Sequence, residues 1–198
     1  MRAVEDKRTR ILETAIELAE RGGFEAVRLR DVAAQADVAL GTVYKRFRSK
    51  EEILVAALDL ESEKLDKRMA LKPAKGDNEE ERVLSFFETA TGHLFRRPNL
   101  ARAIIRAITS GDAELTAKVA GFHDRITRQI VTALRGEEGQ PLAEAGPQAT
   151  EQMLAFILSQ IWFAALVGWM GGLHSKQSVI EQLRVSLRLL LKGVAAGE

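Results

Sequence analysis

Between Gln152 and Ser175 the chain carries no Asp, Glu, Lys or Arg, reading QMLAFILSQIWFAALVGWMGGLHS. A helix that is apolar on every side is stable only in the hydrocarbon of a bilayer or in the interior of a protein assembly. Length alone permits a membrane span. Ser159-Gln160 and His174 interrupt the run, however, Gly168 and Gly171-Gly172 weaken it, and basic anchors beside it are sparse. The expectation is a helix buried between a domain core and a partner subunit, with no membrane involved. The next helix, expected over 178–192, repeats Ile180, Leu183, Leu187 and Leu190/Leu191 and leaves Arg184 and Arg188 outward. Two such helices per chain would build a four-helix interface between two copies.

The rest of the chain follows the same period. Apolar residues recur at i, i+3, i+4 and i+7, few segments alternate with period two, and only four prolines occur in 198 residues. The fold class expected is all-α, with about nine helices. The first spans about 6–21, with Ile11, Leu12, Ala15, Ile16 and Leu18/Ala19 inward, and Gly22-Gly23 stops it. Short helices follow at 29–36 and 40–47. Ser49 is placed to cap a fourth helix over 50–70, with Glu51 and Glu52 in its first turn. Lys72-Pro73-Ala74-Lys75-Gly76-Asp77-Asn78 reads as the clearest linker. Beyond it, helices are expected over 79–96, from Pro98 to a break at Ser110-Gly111-Asp112, and on to about residue 134, before a Gly/Pro/Glu-rich loop over 136–147. The division expected is a small domain over 1–52, a connecting helix over 53–72 and a larger domain over 73–198.

Composition excludes several chemistries. With no cysteine, the chain has no disulfide, thiolate metal site or cysteine nucleophile. His93, His123 and His174 are far apart, and no HExxH, phosphate loop, nucleophile elbow or triad pattern occurs. The expectation is a protein that is not an enzyme, with no catalytic residue, metal or cofactor. The start MRAVEDKR lacks an apolar signal region, and a cytoplasmic location is expected. Net charge is only +1, but the charge is unevenly placed. Residues 28–50 hold six basic side chains (Arg28, Arg30, Lys45, Arg46, Arg48, Lys50) against Asp31 and Asp37. That is a focused patch of the kind that attracts a polyanion.

The same patch contains a helix-turn-helix pattern over 28–47. Val32, Ala33 and Ala36 supply the inner face of a short helix, Val38 packs under the turn, and Val43 and Phe47 supply the inner face of the next. The second helix can then project into a major groove about 12 Å wide. Its outward side would present Leu40, Gly41, Thr42, Tyr44 and Lys45. Gly41 allows close approach, Leu40 can meet a thymine methyl, and Thr42, Tyr44 and Lys45 can donate to phosphates or bases. Lys50 sits beside the free amides of the following helix, where a phosphate is favoured. Arg28 and Arg30 complete the DNA-binding set.

These residues resemble the TetR family of bacterial repressors. The family pattern has an amphipathic first helix, Gly-Gly-Phe, a short helix ending near Ala-x-Val, and Gly-Thr-[Val/Leu]-Tyr-x-x-Phe-x-Ser-Lys-Glu. Here it is carried by Gly22, Gly23, Phe24, Ala33, Ala36, Val38, Gly41, Thr42, Val43, Tyr44, Phe47, Ser49, Lys50 and Glu51. Three positions depart: Arg28 stands for a capping Thr, Asp37 for a turn Gly and Ala39 for a Ser cap. The resemblance implies a homodimer on a palindromic double-stranded operator, released by a small ligand in the C-terminal domain. Residues 36–44 and Arg97-Pro98-Asn99-Leu100 are further similar to actinobacterial members that sense acyl-CoA thioesters or steroid catabolites, which implies a hydrophobic effector of that class. Candidate pocket residues are Phe87, Leu94, Ile104, Ile108, Phe122, Ile126, Phe156, Trp162 and Phe163. A DNA-binding regulator without a small-molecule ligand is the alternative, and an apolar, cavity-free core would favour it.

Overall fold

A computed structural model describes residues 2–111, 113–136 and 147–196, and among these every regular element is helical. In order they are α1 (Arg2–Ala26), α2 (Leu29–Gln35), α3 (Leu40–Tyr44), α4 (Lys50–Leu71), α5 (Glu79–Phe95), α6 (Pro98–Ile108), a 3-10 turn (Ala113–Leu115), α7 (Thr116–Arg135), α8 (Pro147–Met170) and α9 (Lys176–Ala196). Part of the loop read over 136–147, and Asp112 of the expected break, lie outside the described residues.

The chain divides into two units, the first made of Met1–Asp66 with Leu94–Ala120 and the second of Lys67–His93 with Gly121–Glu198. In the first, Ile11, Leu12, Ala15, Ile16 and Ala19 of α1 are buried as the 3.6-residue period requires. The helical conformation breaks at Gly22 and again at Gly23 (φ 66°, ψ −161°), a backbone region open essentially to glycine alone. Phe24 to Ala26 form one further turn beyond that break. α6 packs along α1 and opens on Pro98, whose missing N–H costs nothing at that position. The Glu20 carboxylate accepts from the Leu100 amide at 3.1 Å, and the Glu20 carbonyl accepts from Asn99 at 2.9 Å. Leu100, Ala101, Ala103, Ile104, Ile105 and Ala107 are buried, while Arg102 and Arg106 face outward.

The second unit is built on α5, most of α7, α8 and α9. Phe86 and Phe87 are fully buried and meet edge-to-face at 5.2 Å, and Phe87 meets Trp162 of α8 at 5.7 Å. The last carbonyls of α7, which lack intrahelical partners, are taken by one side chain. Arg82 donates to the carbonyls of Ala133 at 2.9 Å and Leu134 at 2.8 Å. Arg135 pairs at 2.7 Å with Glu151, a fully buried carboxylate at the start of α8. Arg184 and Arg188 of α9 pair with Glu88 and Glu80 of α5.

The uncharged run does not stay helical to its end. α8 stops at Met170, where the Leu173 amide bonds the Gly168 carbonyl and the Gly172 amide bonds the Trp169 carbonyl. With Gly172 at φ 79°, this is the Schellman arrangement that terminates helices. His174 folds back onto Gly168, whose lack of a Cβ gives the ring its space. Thr150–Met170 is long and apolar enough to cross a bilayer, and half of its most apolar stretch is buried within the chain.

Candidate nucleic-acid interface

The turn between α2 and α3 sets the pose of the reading head. The Val38 amide bonds the Ala33 carbonyl at 3.0 Å and the Asp37 amide bonds the Ala34 carbonyl at 3.4 Å. Asp37, at φ 51°, holds the left-handed position that glycine usually fills, which is open to Asp at modest cost. Neither Arg28 nor Ala39 supplies a side-chain cap to the helix it precedes. α3 closes after Tyr44 rather than at Phe47, but the Phe47 amide still bonds the Val43 carbonyl at 2.9 Å. Val43 and Phe47 are therefore both buried, on either side of the helix end.

The start of α4 is held more firmly. The Ser49 hydroxyl accepts from the Glu52 amide at 3.1 Å, and the Glu52 carboxylate returns to accept from the Arg48 amide at 2.8 Å. Both are N-terminal capping bonds, satisfying amides that would otherwise lack a partner. Burial raises the Glu52 carboxyl, but the Arg48 amide and the Lys118 ammonium outweigh it and hold it below the usual carboxylate range.

With those anchors inward, α3 presents Leu40 (38% exposed), Gly41 and Tyr44 (55% exposed) together with Lys45. Thr42 is half-buried beside them. Gly41 has open space where a Cβ would stand, so nothing in the chain itself demands a glycine there. Arg28 and Arg30 are exposed, the latter 3.9 Å from Asp31. Lys50 is engaged inside the chain, 3.0 Å from Glu25 and 4.0 Å above the Phe24 ring. Arg106 of α6 reaches the other Glu25 oxygen at 2.8 Å and lies 4.2 Å from the same ring. The Lys50 hydrogen bond, reinforced by the Lys50 and Arg106 charges, holds the Glu25 carboxyl below its ordinary value.

The apolar candidates fall into separate groups. Leu94, Ile104 and Ile108 lie in the first unit, with Ile104 buried and the other two half-buried. In the second, Phe87, Ile126 and Trp162 are buried, and Phe122 and Phe163 flank His123 at 5.8 Å and 5.6 Å. Phe156 stands half exposed on α8. Partners that sequence spacing does not disclose are Glu25 and Arg106 around Lys50, and Glu114 and Lys118 around Arg48 and Glu52.

A family model described as bacterial regulatory proteins of the tetR family matches residues 11–57. A tetracyclin repressor-like C-terminal domain matches residues 76–190. Among curated relatives, the HTH-type transcriptional repressor KstR of Rhodococcus jostii (strain RHA1) is 34% identical over 96% of this chain and 84% of its own length. The KstR repressor of Mycobacterium tuberculosis (strain ATCC 25618 / H37Rv) is 30% identical over 96% of this chain and 82% of its own. The crystal structure of a TetR transcriptional regulator from Rhodococcus sp. RHA1 aligns with a TM-score of 0.76 at 28% identity, covering 93% of this chain and 94% of that one. Thermus thermophilus FadR, a TetR family repressor solved with lauroyl-CoA, shares the fold at a TM-score of 0.65 and 19% identity, over 94% of each chain.

Proposed function

The chain belongs to the TetR family of bacterial regulatory proteins, and from that premise we propose how its parts divide the work. It is a ligand-responsive transcriptional repressor of that family. In our reading, residues 1–52 form the DNA-binding domain, 53–72 the connecting helix, and 73–198 the effector-binding and dimerisation domain. The observation that carries this reading is the outward face of α3: Leu40, Gly41, Tyr44 and Lys45 are exposed while Val43 and Phe47 of the same segment are buried. A glycine with open space above it, between an exposed aliphatic and an exposed tyrosine, suits close approach to a groove edge. Arg28, Arg30 and Thr42 complete the contact set, with Lys50 exchanging Glu25 for a phosphate.

Two copies pair through α8 and α9 and so place two reading heads on a palindromic operator. Met153 and Phe156 of α8 and Val185 and Leu189 of α9 support this, being 50% to 66% exposed in the single chain. A second copy covers such residues without a membrane. The effector is a small hydrophobic molecule of acyl-CoA or steroid-like class, bound among the apolar and aromatic side chains of the C-terminal domain. It acts through its differential affinity for the two states, and a tenfold loss of operator affinity needs about 1.4 kcal/mol of such preference. No catalytic step is assigned to the chain, and it works in the cytoplasm, where the DNA is.

Two measurements test this together. Sedimentation at micromolar concentration should give twice the 21.9 kDa chain mass. Selection from random duplexes should return inverted half-sites spaced by about one helical turn or a multiple of it. A monomer, or a single asymmetric site, would overturn the paired arrangement.

A further inference from the structure

The exit of the reading head is tied to a segment 66 residues further along the chain. Arg48 Nη1 donates to both oxygens of Glu114, on the 3-10 turn before α7, at 2.7 and 2.5 Å. Lys118, in the first turn of α7, donates to Glu52 Oε1 at 3.0 Å, while Glu52 Oε2 accepts from the Arg48 amide at 2.8 Å. The order of charges is Lys118, Glu52, Arg48, Glu114, and all four belong to the first unit.

The two ends of this series differ in how exchangeable they are. Glu52 is bound into the α4 cap and its side chain is only 22% exposed. Arg48 and Glu114 are 75% and 67% exposed, so their pair sits in water and contributes little to stability. The pair borders an open cleft that Tyr44, Lys45 and Arg46 also line. Four cations (Lys45, Arg46, Arg48, Lys118) therefore face two carboxylates in one place, beside the outward side of α3.

We propose that Glu114 is an internal competitor of DNA phosphate for Arg48. In the free protein its carboxylate occupies the guanidinium. On DNA, Arg48 passes to a backbone phosphate, which likewise offers the guanidinium two anionic oxygens. Glu114 thereby withholds one cation from any duplex that does not bring a phosphate close enough to displace it. The inference rests on α3 being the DNA face. It assigns Glu114, which lies outside the helix-turn-helix, a role in setting affinity.

Phosphate contacts are independent of sequence, so a labelled random-sequence duplex is a sufficient probe. Anisotropy titrations would compare wild type, Glu114→Gln, Arg48→Ala and the double variant between about 50 and 200 mM salt. Glu114→Gln should bind roughly threefold to tenfold tighter at the low-salt end, with a log–log salt slope steeper by at most about 0.9. Arg48→Ala should flatten the slope by about 0.9, and in its background Glu114→Gln should lose most of its gain. Wild-type thermal unfolding in each variant confirms an intact fold, as expected for exposed side chains. If wild type shows no salt-dependent binding, the DNA-face reading falls and this inference with it. If wild type binds but Glu114→Gln is unchanged or weaker, or its gain persists in full without Arg48, the competitor role alone is overturned.

Discussion

The indole N–H of Trp162 donates to the Thr91 hydroxyl at 2.9 Å, joining α8 to α5 inside the second unit, with both residues almost wholly buried. An aromatic in an uncharged helix could equally have lined an open site. Here its polar edge is satisfied from within and its face meets Phe87. Thr91→Val keeps the shape but leaves the indole N–H without a partner. It should lower stability by about 1–3 kcal/mol in a denaturant titration followed by tryptophan fluorescence. Thr91→Ser, which restores the acceptor, should recover much of that loss; equal loss in both variants would show that packing rather than the hydrogen bond matters.

Asp37 occupies the left-handed turn between α2 and α3 at φ 51°. Ala at that position keeps the Cβ clash and loses the short polar side chain that eases it, at a cost of about 1 kcal/mol. Gly removes the clash. Thermal unfolding should therefore rank Asp37→Gly at or above wild type and Asp37→Ala below it, with the reverse order contradicting a strained turn.

His123 lies between Phe122 and Phe163, and burial lowers its pKa, with Asp124 offsetting part of the effect. The unfolded chain then takes up the proton first as pH falls below the usual histidine value of about 6.5. Stability linked to His123 is complete above that value and is lost as pH falls toward the lower folded pKa. The thermal midpoint should drop between about pH 7.5 and 5.5, and His123→Phe should flatten that drop. An identical pH profile in the variant would remove His123 as its source.

Much of this arrangement is legible in the sequence because it rests on local rules. The buried stripe of α1, the break at Gly22-Gly23, the Ser49 cap and the inward pair Val43 and Phe47 each follow from spacing over a few residues. What spacing cannot reach is the partner of an exposed charge. Lys50 reads as a free phosphate ligand until the fold brings Glu25 and Arg106 to it, and Arg48 meets Glu114 only because α7 begins beside the reading head. Likewise, period reports which side of a helix is apolar, not what covers it. Trp162 and Phe156 lie on the same helix, yet one is 3% and the other 50% exposed.

Tyr44 is the largest side chain on the outward face of α3 and stands 55% exposed beside the cleft that Arg48 and Glu114 line, so its removal bears on DNA contact more than on the buried core. Anisotropy with wild type and Tyr44→Ala on operator and random duplexes is the most direct test. Loss of the tyrosine should weaken binding by about tenfold or more, equal to about 1.4 kcal/mol, on both duplexes with an unchanged melting temperature. Operator affinity equal to wild type in a folded Tyr44→Ala protein would contradict it.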